Sequence, residues 1–422
     1  MQRSRSSHSF MRMKFFAIFG ILLLNQFLFS GIFAQEKNVS DLAVKTIKIN
    51  SIDFSDSDLS SVGNAIGNSR VVLLGEQSHG DGTTFSAKAA IVKYLHEHKG
   101  FDVIAFESDM FALEIGRPNL AEDSLLKYWQ DFNLFSVWSR SLQCQELLTY
   151  IAKNKKMRLT GFDSQLSGNF SAREYGSYLR RLLLRHSVAD TTQIKELLEI
   201  ARTVQSTRTM NLPEIVKFSK QNKGKLARAE ELINVSLLKI ENNSSNQHDI
   251  NMLLSFRGFV RQIKYDTPEI AIATRDSAMA ENIKWLYNQK YQGKKIIIWG
   301  ANSHISYDTF QVDKKKPPTY RMGGWLKKFF REGELYAIGF TSKYGTTGIF
   351  NSKPIARHAK ASYENSVSND LKYGFLDLQK QNPRPFAASF FGHREQTKEW
   401  SKIFDGIFYI RENKYNQIIG PK

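Results

Sequence analysis

"VVLLGEQSHG", residues 71–80, decides the fold. Four apolar residues, Val71 to Leu74, stop abruptly at Gly75, too short a run for a buried helix. They predict a strand covered on both faces, as in a parallel sheet. The turn that follows sets Glu76 and His79 three residues apart, between Gly75 and Gly80. Outward from it, a helix is predicted over about 83–98, with Phe85, Ile91, Val92 and Leu95 as its apolar face. "FDVIAFES" (101–108) is a second strand with Glu107 at its exit, and "MRLTGFDSQ" (157–165) a third leading to Asp163. "KKIIIWGANSHIS" (294–306) is a fourth, with Asn302 and His304 in its exit turn.

Between the third and fourth strands, residues 171–290 read as mostly helix, a helical insertion or cap over the sheet. Further strands are predicted in "ELYAIGFT" (334–341), "YGFLDL" (373–378) and "FDGIFYI" (404–410). The alternation implies an α/β fold: a largely parallel sheet flanked by helices, in one domain over 51–415 after a lead-in at 35–50. Open parallel sheets bind ligands outside the carboxyl ends of their strands. Glu76, His79, Glu107, Asp163, Asn302 and His304 therefore converge on one edge.

The chemistry of these residues is legible in part. A carboxylate bonded to one imidazole nitrogen sets the tautomer and raises basicity, leaving the other nitrogen to move a proton. Glu76 and His79 have that spacing, although a turn histidine also serves as a surface or capping residue. Glu107 reads either as a helix N-terminal carboxylate or as a site acid or base. Asp163 reads as a turn or cap residue shaping the floor of the site. Lys88, nine residues after His79, is most simply a solvated lysine. The elbow G-x-S-x-G fails because residue 76 is Glu, and there is no P-loop, no G-x-G-x-x-G after a strand and no H-E-x-x-H. His79, His304, Glu76 and Glu107 are competent metal ligands, but their spacing does not require a metal; the expected reading has no metal and no cofactor.

The 422 residues carry a formal charge of +18, of which Arg3, Arg5, Arg12 and Lys14 lie in the N-terminal 34. The remaining basic residues are scattered, and no nucleic-acid-binding motif accompanies them, so a solvated basic surface is expected rather than a nucleic-acid partner. A basic start, the apolar run Phe15–Phe33 and a small residue at Ala34 predict a signal peptide over 1–34, with an uncleaved anchor as the alternative. Cleavage would leave an exported protein, periplasmic or secreted, with no membrane span. The single cysteine, Cys144, permits no internal disulfide.

"LLGEQSHG", "VIAFES", "LTGFDSQ", "TRDSAMAENIKWL", "WGANSHI", "YRMGGWLKK", "AIGFTSKYGTTG" and "FDGIFYI" occur in the order found in the erythromycin esterase family. Over roughly residues 55–411 the chain resembles that family. The resemblance implies a metal-independent hydrolase of an ester or lactone, macrolides among the candidates, with antibiotic resistance as the associated role. It implies His79 as general base on water, assisted by Glu76 and Glu107. It places a basic residue at position 88, where the macrolide esterases have Arg and this chain has Lys. That Lys88 is then expected to stabilise the oxyanion, with Asn302 and Asp163 also on the substrate side. In the fourth-strand motif, A-H-N-x-H in the family, Asn302 and His304 are present but Ala301 replaces the first histidine; either His304 takes over that catalytic role, or the chemistry proceeds without it, or the substrate is different. The alternative is a non-catalytic envelope protein binding a polyketide or glycan in the same cleft.

Overall fold

The computed structural model describes residues 39–54, 58–116, 120–210, 212–265, 267–310 and 318–420; the signal peptide expected over 1–34 lies outside them. Its centre is a nine-stranded sheet. In chain order the strands are β1 (Ile47–Ile49), β2 (Val71–Leu74), β3 (Phe101–Asp109), β4 (Arg158–Asp163), β5 (Lys295–Trp299), β6 (Leu335–Thr347), β7 (Lys353–Pro354), β8 (Tyr373–Asp377) and β9 (Gly406–Asn413). Across the sheet they run β1-β8-β9-β6-β2-β5-β3-β4, with β7 folded back on the end of β6. The six from β9 to β4 are mutually parallel, and β8 is antiparallel to both β9 and β1.

The apolar run at 71–74 is continuous because both faces are covered. Val71 and Leu73 enter one core, and Val72 and Leu74 the other. The second core is closed by α1 (Gly82–Lys99), which brings Phe85, Ile91, Val92 and Leu95 to the sheet as its sequence predicts. Among the helices that close the first are α2 (Asn169–Arg185), α3 (Thr191–Gln205), α4 (Leu212–Lys239), α5 (Gln247–Lys264) and α6 (Pro268–Trp285). The last of these carries side chains to the exits of β3, β4 and β5.

Some strands depart from the sequence reading. Residues 47–49 fall in the expected lead-in, yet they pair with Tyr373–Phe375 as an edge strand. Three residues, two of them exposed, give no periodic signal. A two-stranded ribbon, Phe386–Phe391 with Arg394–Lys398, was also not expected, because "FAASFF" has no polar alternation and packs its phenylalanines inward.

Candidate active site

The turn after β2 is held by close backbone approach. A Cβ on Gly75 would lie 1.9 Å from Asn302 Oδ1, and one on Gly80 2.3 Å from the Gly348 nitrogen. Those contacts leave no room for another residue. Glu76 is buried and both its oxygens are engaged: Oε1 bonds His79 Nδ1 at 2.8 Å, and Oε2 accepts from Lys88 Nζ. His79 stands edge-on to Trp138 and Phe135, with ring centroids 5.4 and 6.0 Å away. Its side chain is 33% exposed, and no described residue bonds its Nε2. Burial pulls the imidazole down, but the Glu76 hydrogen bond and charge, with Glu107 adding to them, raise it above the ordinary histidine value.

Lys88 is not solvated. It is fully buried beneath the turn, 3.3 Å from the Gly300 carbonyl and 4.2 Å from the centroid of the Trp299 ring. Burial lowers its pKa despite Glu76. With no exposed surface it does not reach a substrate; its ammonium holds the Glu76 carboxylate in place from behind. Asn302 is likewise buried in the core, donating to the carbonyls of Phe340 at 2.8 Å and Phe390 at 2.7 Å and accepting from the Phe340 N–H at 3.1 Å. Its amide clamps β6 and the ribbon to the β5 exit and does not face the cleft.

The exits of β3, β4 and β5 form a second cluster around a residue the sequence reading did not single out. Arg275, on α6, donates from Nη2 to Glu107 Oε1 at 2.9 Å and from Nε and Nη2 to Asp163 Oδ2 at 3.2 and 2.6 Å. The pairing of β3 with β4 shifts register between Phe106 and Asp109, a bulge that re-aims Glu107. Glu107 Oε2 accepts the Ala301 N–H at 3.0 Å, so the backbone at 301 serves the site whatever its side chain. Burial would raise the Glu107 carboxyl, but His304, Arg275 and His79 overcome it and hold it at about 2. Asp163 is therefore the anchor of Arg275 rather than a bare turn cap.

His304 points into this cluster. Its Nδ1 bonds the buried Asp276, also on α6, and its Nε2 lies 3.3 Å from Glu107 Oε1 and 3.2 Å from Arg275 Nη1. Burial disfavours the imidazolium, but Glu107 and Asp276 raise its pKa above the ordinary value. Both nitrogens are thus occupied. Arg275 and Asp276 were missed because charged residues inside a helix read as a solvated face. The available signal was an Arg-Asp pair flanked by Ala, Thr and Ser, small residues that let a helix sit close. Among the described residues, no three His, Cys, Asp or Glu side chains are grouped to share a metal ion.

The strand-exit edge thus joins a carboxylate-polarised imidazole with one open nitrogen to a buried arginine–carboxylate cluster, an arrangement suited to hydrolysis. Residues 96–413 match the family model for erythromycin esterase, and the chain belongs to that family. It is 26% identical over 396 residues to "Putative hydrolase YbfO" of Bacillus subtilis (strain 168), covering 84% of this chain and 86% of that one. It is 22% identical over 444 residues to "Erythromycin esterase type II" of Escherichia coli, covering 88% and 96%. A solved mutant of an erythromycin esterase in its open conformation superposes with a TM-score of 0.64 at 17% identity, over 89% of this chain and 99% of that one.

Proposed function

We propose that the protein is an exported hydrolase of a carboxylic ester or lactone, with water activated by His79. The observation that carries this reading is the Glu76–His79 pair, bonded through Nδ1 with Nε2 left open to solvent. Glu76 holds the tautomer in which Nε2 has the lone pair, and Lys88 fixes the other oxygen of Glu76. Water taking its place at Nε2 loses a proton to the ring as it attacks the acyl carbon, and the imidazolium returns that proton to the leaving oxygen. The developing oxyanion needs a cation that can reach it. Lys88 is occluded, so Arg275, whose side chain is 18% exposed, takes the role first given to Lys88. Glu107, Asp163 and His304 hold Arg275 in position. Phe135, 42% exposed beside His79, offers an apolar rim to the acyl or ring carbons of the substrate.

The test is a panel of aryl and alkyl esters, simple lactones and 14-membered macrolides, with product masses measured for the wild type and for His79→Ala. Hydrolysis of at least one class by the wild type, lost in the variant, supports the reading. Equal turnover in the two would refute it.

A further inference from the structure

Behind the His79 turn lies another carboxylate–imidazole pair, one that the proposed chemistry does not use. Asp81 is fully buried two residues beyond His79. Its Oδ2 accepts the Ser78 N–H at 2.9 Å, closing a ring of backbone around His79. Its Oδ1 accepts from His393 Nε2 at 3.0 Å and from Asn413 Nδ2 at 3.1 Å. His393 stands at the tip of the ribbon 386–398, where Gly392 and His393 have φ of +60° and +58°. Positive φ at both central residues of a two-residue hairpin is the type I′ pattern, in which Gly or Asn is the usual occupant. Histidine is among the side chains more often found at positive φ, but any non-glycine residue there is uncommon and bears a backbone cost. The ring is 7% exposed, and its Nδ1 has no hydrogen-bond partner among the described residues.

A disfavoured backbone and an unsatisfied buried nitrogen at one residue call for a compensating role, and the direction of inference runs from the outlier to the role. The other contacts of this ribbon end point to the same place. The Gly392 N–H donates to the Gln77 carbonyl at 3.1 Å, and Gln77 Nε2 donates to the Ser389 carbonyl. On the far side, the Gly80 carbonyl accepts from Gly348 and Asn416. The turn is therefore gripped at Gln77, Gly80 and Asp81, and the imidazole that bonds Asp81 is that of His393.

Resting on the reading of His79 as the base, we infer that His393 is a positioning residue. Through Asp81 it fixes the turn so that His79 Nδ1 stays on Glu76. The experiment is a histidine NMR titration of the full protein, with the His79 resonance assigned by His79→Asn, in the wild type, His393→Gly and His393→Gln. Glycine relieves the backbone while removing one partner of the buried Asp81, two effects of opposite sign, and Ser78 and Asn413 still bond that carboxylate, so the variant is expected to stay folded. The His79 pKa is expected to fall in that variant by roughly 0.5–1 unit, part of the 1–3 units that a close carboxylate partner exerts. His393→Gln, whose amide can donate to Asp81, is expected to recover part of that fall. An unchanged His79 pKa in His393→Gly overturns the inference. So does loss of fold in His393→Gly, which would make the contact a purely structural one. The titration needs no turnover, so it stands or falls separately from the hydrolase reading. If no substrate is cleaved but the pKa moves as stated, the positioning holds and the chemistry assigned to His79 does not.

Discussion

His79 and His304 are both imidazoles bonded through Nδ1 to a buried carboxylate, at the exits of the neighbouring strands β2 and β5. Their second nitrogens set them apart. His79 presents Nε2 to solvent from a side chain 33% exposed, while His304 Nε2 is held between Glu107 and Arg275. A residue pair therefore does not define a role; the free valence does. On the proposed reading the β2 exit moves a proton, and the β3–β4–β5 exits hold a fixed field beside it.

The largest effect that could break this comparison is on turnover. Replacing His79 by Ala is expected to lower kcat/KM by about 10²–10⁴-fold, the usual contribution of a general base, with an unchanged circular dichroism spectrum. Replacing His304 by Ala is expected to lower the thermal midpoint instead, since it strips a buried partner from Asp276 and Glu107. If the two variants behaved alike, the distinction would fall.

Arg275→Met comes next. It leaves Glu107 and Asp163 buried without their shared cation, a loss of about 3–5 kcal/mol when one partner of a buried pair is removed. Urea denaturation measures it. The Glu107 carboxyl, now at about 2, is expected to titrate well above that value in the variant.

Titration of the wild type separates the two halves without mutation. On the proposed reading His79 works deprotonated, and its pKa is raised above the ordinary 6.5. Thus kcat/KM is expected to rise with pH through that raised value and level off beyond it. Glu107 acts with the opposite sign. Its folded pKa is depressed from 4.5 to about 2, so its contribution to stability is complete above 4.5 and is lost as pH falls towards 2. Activity and thermal midpoint measured across the same range are expected to show two separate limbs. The smallest effect is expected from Ala301→His. Its backbone bond to Glu107 does not depend on the side chain, so the thermal midpoint should shift little, and any gain in ester turnover measures what the missing imidazole would add.

The parts legible in the sequence are those with a one-dimensional signal. Short apolar runs ending in Glu76, Glu107, Asp163 and Asn302 mark strand exits, and the parallel sheet brings them together. The functional weight of Arg275 and Asp276 was hidden because helix periodicity does not separate a solvated charge from one turned toward a sheet edge. Lys88 was misread for a similar reason: only the packing of α1 over Trp299 shows that its ammonium is sealed beneath Glu76. Asn302 was placed on the substrate side by the family resemblance, but its amide is spent on the Phe340 and Phe390 backbone. The ribbon at 386–398 carries neither alternation nor a usual turn dipeptide, so its grip on Gln77 and Asp81 emerges only in three dimensions.

The order of strands has a consequence for how the chain is made. The neighbours of Val71–Leu74 are Ile296–Trp299 and Leu335–Ile338, more than 200 residues later. At roughly 5–20 residues per second of synthesis, the central strand waits on the order of ten seconds or more for its first partner. β1 waits longer, for residues 373–375. Sheets of such high contact order fold slowly and late, so the nascent chain stays open and threadable until most of it has been made.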